Sequence, residues 1–381
     1  MRGKGNRNFR ETPGCGAVNR KISLAFADPF SVFWSSGSVL SGFNELSKEL
    51  YMNLSAFSVL YKDSPLAEVL EIFQSKGTPH AEVGSGGFIG KEHRNPGPLL
   101  RNEGERDAFT SLFEENGITL AALSCHGNPV HPRRETAESY HTDLKETVDL
   151  ASLIGVGTVI TFSGCPGDSD DARYPNWPVS PFPEDFQDLL EWQWKEKLVP
   201  YWKEMGKYAE DRNVRIALEM HGGYSVHTPA TMIRMRRETG SAALGANLDP
   251  SHMWWQGIDP AAAVRYLGRE DCLYHFHAKD AMIDPVNVSY YGVTDMQSFG
   301  NAFGRGWQFR TIGYGHGLKD WADIMSVLRS VGYDGVISIE HEDSYMSVDE
   351  GLDKAVSNLK QVVMFEPASA PKAFDIDSRF A

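Results

Sequence analysis

The sequence predicts an α/β protein whose strands close into a (β/α)8 barrel. Two observations carry that prediction. Short apolar, β-rich runs alternate with longer helical runs about eight times, and alternating βα units imply a parallel sheet with right-handed crossovers. A length of 381 residues is large for one compact domain but ordinary for a barrel with insertions.

The strands are expected at 50–58, 80–84, 119–124, 158–163, 215–221, 244–249, 273–279 and 336–342. The helices between them are expected at 65–76, 103–116, 134–154, 184–212, 229–237, 260–267, 318–331 and 347–363. Eight such units suit closure as a TIM barrel. Two connections are long, 164–183 and 281–317. Both follow the C-terminal ends of strands, where barrel enzymes build their sites. Long loops in compact domains are more often functional than decorative, so one or both are expected to act as lids.

Residues 1–48 read differently. They are Gly-rich, begin with a basic stretch and lack a hydrophobic period. Arg-rich, acid-poor leaders can be targeting signals. The simpler reading is a poorly ordered N-terminal extension, or an upstream start with Met52 near the true one. The barrel is then expected over 49–365, and 366–381 as a loosely held tail. The net charge of -14 speaks against nucleic acid, because an acidic chain gains nothing from a phosphate polymer. The four cysteines form no C-x-x-C pair and are too scattered for a disulfide framework, which points to a reducing, cytoplasmic setting. No run of about 18 apolar residues suggests a membrane-spanning helix.

The chemistry concentrates in the last four strands. Alternate side chains of a strand share a face. In 215–221, Ile216, Leu218 and Met220 oppose Ala217, Glu219 and His221. In 244–249, Leu244, Ala246 and Leu248 oppose Asn247 and Asp249. The stretch HFHAKD sets His275, His277 and Lys279 against Tyr274, Phe276 and Ala278. In ISIEHED, Ile337 and Ile339 oppose Ser338, Glu340 and Glu342. Each apolar face can pack on outer helices, so each polar face points inward, where branched apolar residues are the rule. Glu219, Asp249, His277 and Glu340 would be costly there as unpaired groups. One divalent cation resolves the conflict. Three carboxylates and an imidazole favour Mn²⁺ or Mg²⁺, with Co²⁺ or Zn²⁺ as alternatives. His252, three residues past Asp249, is placed just above that layer.

This pattern resembles the xylose isomerase-like sugar isomerase/epimerase superfamily, which also holds ketose 3-epimerases, inosose dehydratases and endonuclease IV. The matching residues are Glu219 in IALEMH, Asp249 and His252 in NLDPSH, His277 in HFHAKD and Glu340 in ISIEHED. The resemblance covers roughly 52–365. It implies a metal-dependent sugar isomerase or epimerase that removes a proton next to a carbonyl through an enediolate. Glu219 and Glu340 would then be base and acid as well as ligands.

Two departures bear on the substrate. Ketose 3-epimerases carry a second Glu six residues after the first ligand and an Arg six after the ligand His. Ser225 and Ile283 stand there in this chain. A metal-dependent lyase or dehydratase, acting on a keto-sugar or 3-keto glycoside by β-elimination, is therefore the alternative. A DNA-repair endonuclease-like hydrolase and a non-catalytic sugar-binding barrel rank below both.

His252, His126 in SCHGNP, His221 and Lys279 are candidate substrate contacts. For the last three, a hydrogen-bonded or solvated structural role is an equal reading. His275 is expected to orient ligands, Asp280 to cap or orient Lys279, and Trp254 and Trp255 to wall a sugar site. Cys125 is expected to face away from His126, which argues against a thiol nucleophile. The expected partner is a small sugar or sugar derivative, with a homo-oligomer or a partner subunit left open.

Overall fold

The computed structural model describes residues 52–367. The expected extension over 1–48 lies outside the described residues, as does nearly all of the expected tail.

Eight parallel strands close the barrel. They are β1 (Asn53–Phe57), β2 (His80–Gly87), β3 (Thr119–His126), β4 (Thr158–Phe162), β5 (Arg215–Glu219), β6 (Leu244–Leu248), β7 (Leu273–Ala278) and, after a two-stranded excursion, β10 (Val336–Ile339). Closure is made by β1 against β10, with Ser55 opposite Ser338. The excursion is an antiparallel ribbon of β8 (Asp280–Ile283) and β9 (Trp307–Arg310).

The helices are α1 (Leu66–Lys76), α2 (Pro96–Arg101), α3 (Glu103–Glu115), α4 (Arg134–Ile154), α5 (Asp185–Trp192), α6 (Val199–Glu210), α7 (Pro229–Thr239), α8 (Pro250–Trp255), α9 (Pro260–Arg269), α10 (Pro285–Tyr291), α11 (Leu318–Ser330) and α12 (Val348–Leu359). All eight expected helical runs are present. The run expected over 184–212 is α5 and α6 joined through a π-helical stretch, Gln193–Leu198. Three short helices were not expected: α2, α8 and α10. Each spans only six or seven residues, too short to show a hydrophobic period. Each starts with Pro after an Asn or Asp whose side chain accepts a backbone N–H. The signal for them is the local N-cap.

Outward residues such as Leu54, Val83, Leu218, Leu248, Phe276 and Ile337 are buried in one continuous core with the helices. The inner floor is small and apolar: Ala122, Ile160 and Ala217, with Tyr274 packed on them. Strict alternation had placed Tyr274 on the outer face with Phe276 and Ala278. Pairing between β6 and β7 jumps from Ala246–Leu273 to Asn247–His275. This bulge adds one residue, locally reverses the alternation and turns Tyr274 inward. Gly245 makes room, since a Cβ there would lie 2.3 Å from the Tyr274 ring.

The ribbon is tied down by two buried carboxylates. Asp280 accepts backbone N–H groups from Gly313, Gly315 and His316, and lies 3.0 Å from His316 Nδ1. It gathers the loop after the ribbon and is not the partner expected for Lys279. Asp343, just past β10, accepts from Thr311 N at 2.8 Å, Tyr345 N at 2.8 Å and Arg310 Nε at 3.1 Å. Burial alone would raise the Asp343 pKa, but these backbone and Arg310 hydrogen bonds hold it below the usual aspartate range. A depressed pKa contributes stability above the unfolded-state pKa and loses it as pH falls through the folded one. Asp343→Asn is expected to destabilise the fold by about 2 kcal/mol at neutral pH. In urea melts, the gap between wild type and variant should shrink below about pH 4.

Candidate metal centre

The four expected ligands come from consecutive barrel strands at their C-terminal ends. Glu219 is the last residue of β5, and His277 sits one residue before the end of β7. Glu340 directly follows β10. Asp249 is the N-cap of α8, where Oδ1 accepts the Ser251 N–H at 2.8 Å. That bond fixes the carboxylate and leaves Oδ2 facing the cluster. One donor atom from each of Glu219, Asp249, His277 and Glu340 lies within 4.8 Å of the other three.

The orientation of His277 is set from below by Glu82 in β2. Both Glu82 oxygens lie 3.1 Å from His277 Nε2. If Nε2 carries the proton toward Glu82, the Nδ1 lone pair faces the cluster, 3.0 Å from Glu340 Oε2 and 3.3 Å from Glu219 Oε2. This carboxylate–histidine relay is a recurrent way to aim a metal-binding imidazole. Glu82 also lies 3.0 Å from His275 Nε2 and accepts hydrogen bonds from the Ser338 and Ser124 hydroxyls. Burial would raise its pKa, yet His277 and His275 hold it well below the carboxylate range. His275 thus supports Glu82, one step removed from the ligands it was expected to orient. Glu82 itself was missed. It stands on the inward register of HAEV, but a single Glu in a strand carries no pattern.

Among the four candidate ligands, Glu219 has the most polar neighbours. His126 Nε2 lies 2.8 Å from it, and Asn247 Nδ2 donates at 3.3 Å. His252 Nδ1 accepts the Trp255 indole N–H at 3.4 Å. The other ring nitrogen, Nε2, is then the protonated one, and it lies 3.3 Å from Glu219 Oε1 and 3.5 Å from Asp249 Oδ2. Burial opposes the Glu219 charge, but the surrounding imidazoles of His126, His252 and His277 lower its pKa well below the usual range. Glu340 follows the same logic. Burial opposes its charge, and Lys279 and His277 bring it to about 2.

Lys279 is only 2% exposed. Its Nζ lies 2.9 Å from Glu342, 3.0 Å from Glu340 and 3.1 Å from Asp249, above the Phe309 ring at 4.4 Å. Burial disfavours the ammonium, but the three carboxylates raise its pKa well above the usual value and keep it charged.

His221 abuts His252, with ring centroids 3.9 Å apart. Burial and the neighbouring His252 push it down to about 3, so it is neutral. Cys125 is buried, and burial pushes its thiol up to about 12, which disfavours the thiolate. Trp255 adjoins the site through His252, whereas Trp254 does not: it stacks on His316 at 3.7 Å, away from the ligands. Helix α8 puts these two neighbours on different faces.

The donor set fits a divalent cation. Asp249 Oδ2 and Glu340 Oε2 are buried and meet only the Lys279 ammonium and imidazole nitrogens, at 3.0–3.5 Å, and His277 Nδ1 is buried without a hydrogen-bond partner. Buried polar atoms are rarely left so unless something else engages them. Glu219, Asp249, Glu340 and Glu342 set four carboxylates around one deeply buried ammonium, an excess of negative charge that a cation relieves.

A closed barrel with this inward donor set defines the class of protein. The sequence model of the xylose isomerase-like TIM barrel family matches residues 85–362, and the chain belongs to that family. It is 35% identical over 303 residues to the uncharacterized protein YfiH of Bacillus subtilis (strain 168), across 78% of this chain and 95% of that one. It is 26% identical over 170 residues to an inosose dehydratase of Clostridium tetani (strain Massachusetts / E88), across 43% of this chain and 52% of that one. Among solved structures, an L-ribulose 3-epimerase superposes with a TM-score of 0.55 at 15% identity, covering 82% of this chain and 94% of the epimerase. At that identity the likeness is one of fold.

Glu82→Gln keeps the volume but removes the charge that holds His277. It is expected to weaken Mn²⁺ binding by about 10- to 100-fold, read by isothermal titration of metal-free protein. Unchanged affinity would show that His277 needs no such support.

Proposed function

We propose that the chain is a divalent-metal-dependent isomerase or epimerase of a small sugar or sugar derivative, working by proton removal next to a carbonyl through an enediolate. The observation that carries this reading is the meeting of Glu219, Asp249, His277 and Glu340 at the mouth of the barrel, with both glutamates held ionised. A divalent cation held by these four residues would supply Lewis-acid stabilisation of the charge that develops on the substrate oxygen. Mn²⁺ or Mg²⁺ suits the oxygen-rich set best, with Co²⁺ or Zn²⁺ as alternatives.

The chain's own groups do the rest. Glu219 and Glu340 are the base and acid pair, one taking the proton and the other returning it. Glu340, with a side chain 14% exposed against 3% for Glu219, is the more open to solvent. The Lys279 ammonium, already 3.0 Å from Glu340, stabilises negative charge on a substrate oxygen nearby. His126, His221 and His252 border the glutamates and bind hydroxyls. The neutral His221 can accept a hydrogen bond as well as donate one.

The second reading is a lyase that uses the same base to expel a β-substituent from a keto-sugar or 3-keto glycoside. The similarity to an inosose dehydratase supports it, as do Ser225 and Ile283 at positions where ketose 3-epimerases carry Glu and Arg. In either case a small sugar derivative is the partner, with no role for nucleic acid or membrane, in a cytoplasmic setting. Among the described residues, no helix is long and apolar enough to cross a membrane.

Incubation with a panel of ketoses and 3-keto glycosides in heavy water is expected to place deuterium on the carbon next to the carbonyl. Product mass then separates the readings: an isomerase conserves it, and a lyase releases water or an aglycone. Glu219→Gln and Glu340→Gln should each cut exchange by about 100-fold or more. Full exchange in both variants would remove these residues from the chemistry.

A further inference from the structure

The two long connections, one or both of them expected to be lids, meet beside the metal centre. A cavity of about 600 Å³ opens there, walled by Trp177, Val179, Phe186, Leu190, Trp194 and Trp255. Trp177 and Val179 come from the connection after β4. Val293, from the segment between β8 and β9, closes the far side. Neither barrel strands nor metal ligands contribute to the wall. The cavity forms where the insertions meet helices α5, α7 and α8.

Its charge is spent. The Arg234 guanidinium, at one edge, pairs with Glu191 at 2.9 Å and with Glu238 at 2.7 Å, and lies over the Trp194 ring at 4.3 Å. Gln193 donates to the carbonyls of Gly167 and Asn176, and Gln256 to those of His227 and His252. Burial lowers the pKa of His227, which leaves it neutral. The Trp177 indole N–H, by contrast, is buried with no acceptor. Such a cavity repels ions and rewards flat apolar surface, because aromatic faces stack.

The cavity also reaches the chemistry. Trp255 is both its wall and the donor to His252, which lies 3.3 Å from Glu219. The same indole stacks on Trp307 with centroids 4.9 Å apart and planes 2° from parallel. Trp307 in turn meets Phe309, the ring beneath Lys279. A continuous aromatic path joins the cavity to the site.

We propose that this cavity is a binding site for a flat, uncharged aromatic ring system that stacks on its tryptophan walls. The ring enters free or as the non-sugar part of a sugar conjugate. The site does not depend on the metal chemistry, so it stands or falls separately from the isomerase reading.

Coumarin, neutral and bicyclic, is the probe. Calorimetric titration of the full chain should give saturable binding, with quenching of tryptophan fluorescence. Trp177→Ala and Leu190→Glu should each weaken it by about tenfold or more. Val179 is 62% exposed, so Val179→Glu tests the same wall if either of the others fails to fold. Glu219→Gln should bind coumarin as wild type does, which keeps this test apart from that of the metal centre. Coumarin-3-carboxylate should bind at least about tenfold more weakly than coumarin. A glycoside with coumarin as its aglycone separates the two sources. Tighter binding than coumarin assigns the cavity to the non-sugar part of a conjugate, and equal binding assigns it to the free ring. No saturation at millimolar coumarin, binding indifferent to the wall variants, or preference for the carboxylate would each overturn the proposal.

Discussion

Glu82 has no access to water, yet it is held as an anion inside the barrel by groups from three other strands: Ser124 on β3, His275 and His277 on β7, and Ser338 on β10. A buried carboxylate is tolerated only when it is hydrogen-bonded throughout. Here that requirement fixes the geometry above it. One edge of the His277 ring is committed to Glu82, so the other is delivered to Glu219 and Glu340. Loss of this anchor would leave a ring free to turn at the one position where the site needs a nitrogen.

Above Glu82 the site is a balance of strong opposing terms. Glu219, Asp249 and Glu340 crowd together, and their repulsion is offset by Lys279 and by imidazoles aimed at the carboxylates. The small floor of Ala122, Ile160 and Ala217 leaves room for these long polar side chains in the upper barrel. The bulge that turns Tyr274 inward seals the floor beneath them. Packing below and charge above therefore divide the barrel axis between stability and chemistry, as is general for this architecture.

The insertions alter what the barrel presents to solvent. The ribbon β8–β9 is anchored by Asp280 on one side and Asp343 on the other. It brings Trp307 and Phe309 against Trp255 and the site histidines. The connection after β4 supplies Trp177 to the same cluster. Their aromatic lining makes them a wall and a recess.

Much of the fold and of the inward placement of the candidate site residues was legible in the sequence, because both rest on period. Eight βα alternations dictate the barrel. Alternation within IALE, ANLD and ISIE sets the apolar residues outward and leaves Glu219, Asp249 and Glu340 inward, since successive side chains must point to opposite faces. Short-range order of this kind is a property of the backbone. Tyr274, Glu82, Asp280 and Trp254 lay beyond that reach. The bulge that turns Tyr274 exists only in the pairing of β6 with β7. Glu82 matters through His275 and His277, which lie 193 and 195 residues away in sequence. Asp280 spends its oxygens on a loop more than 30 residues downstream. The local sequence determined which face each side chain takes. Tertiary structure alone decided which side chains meet across the closed barrel, because those distances are set by closure and register and not by any single strand.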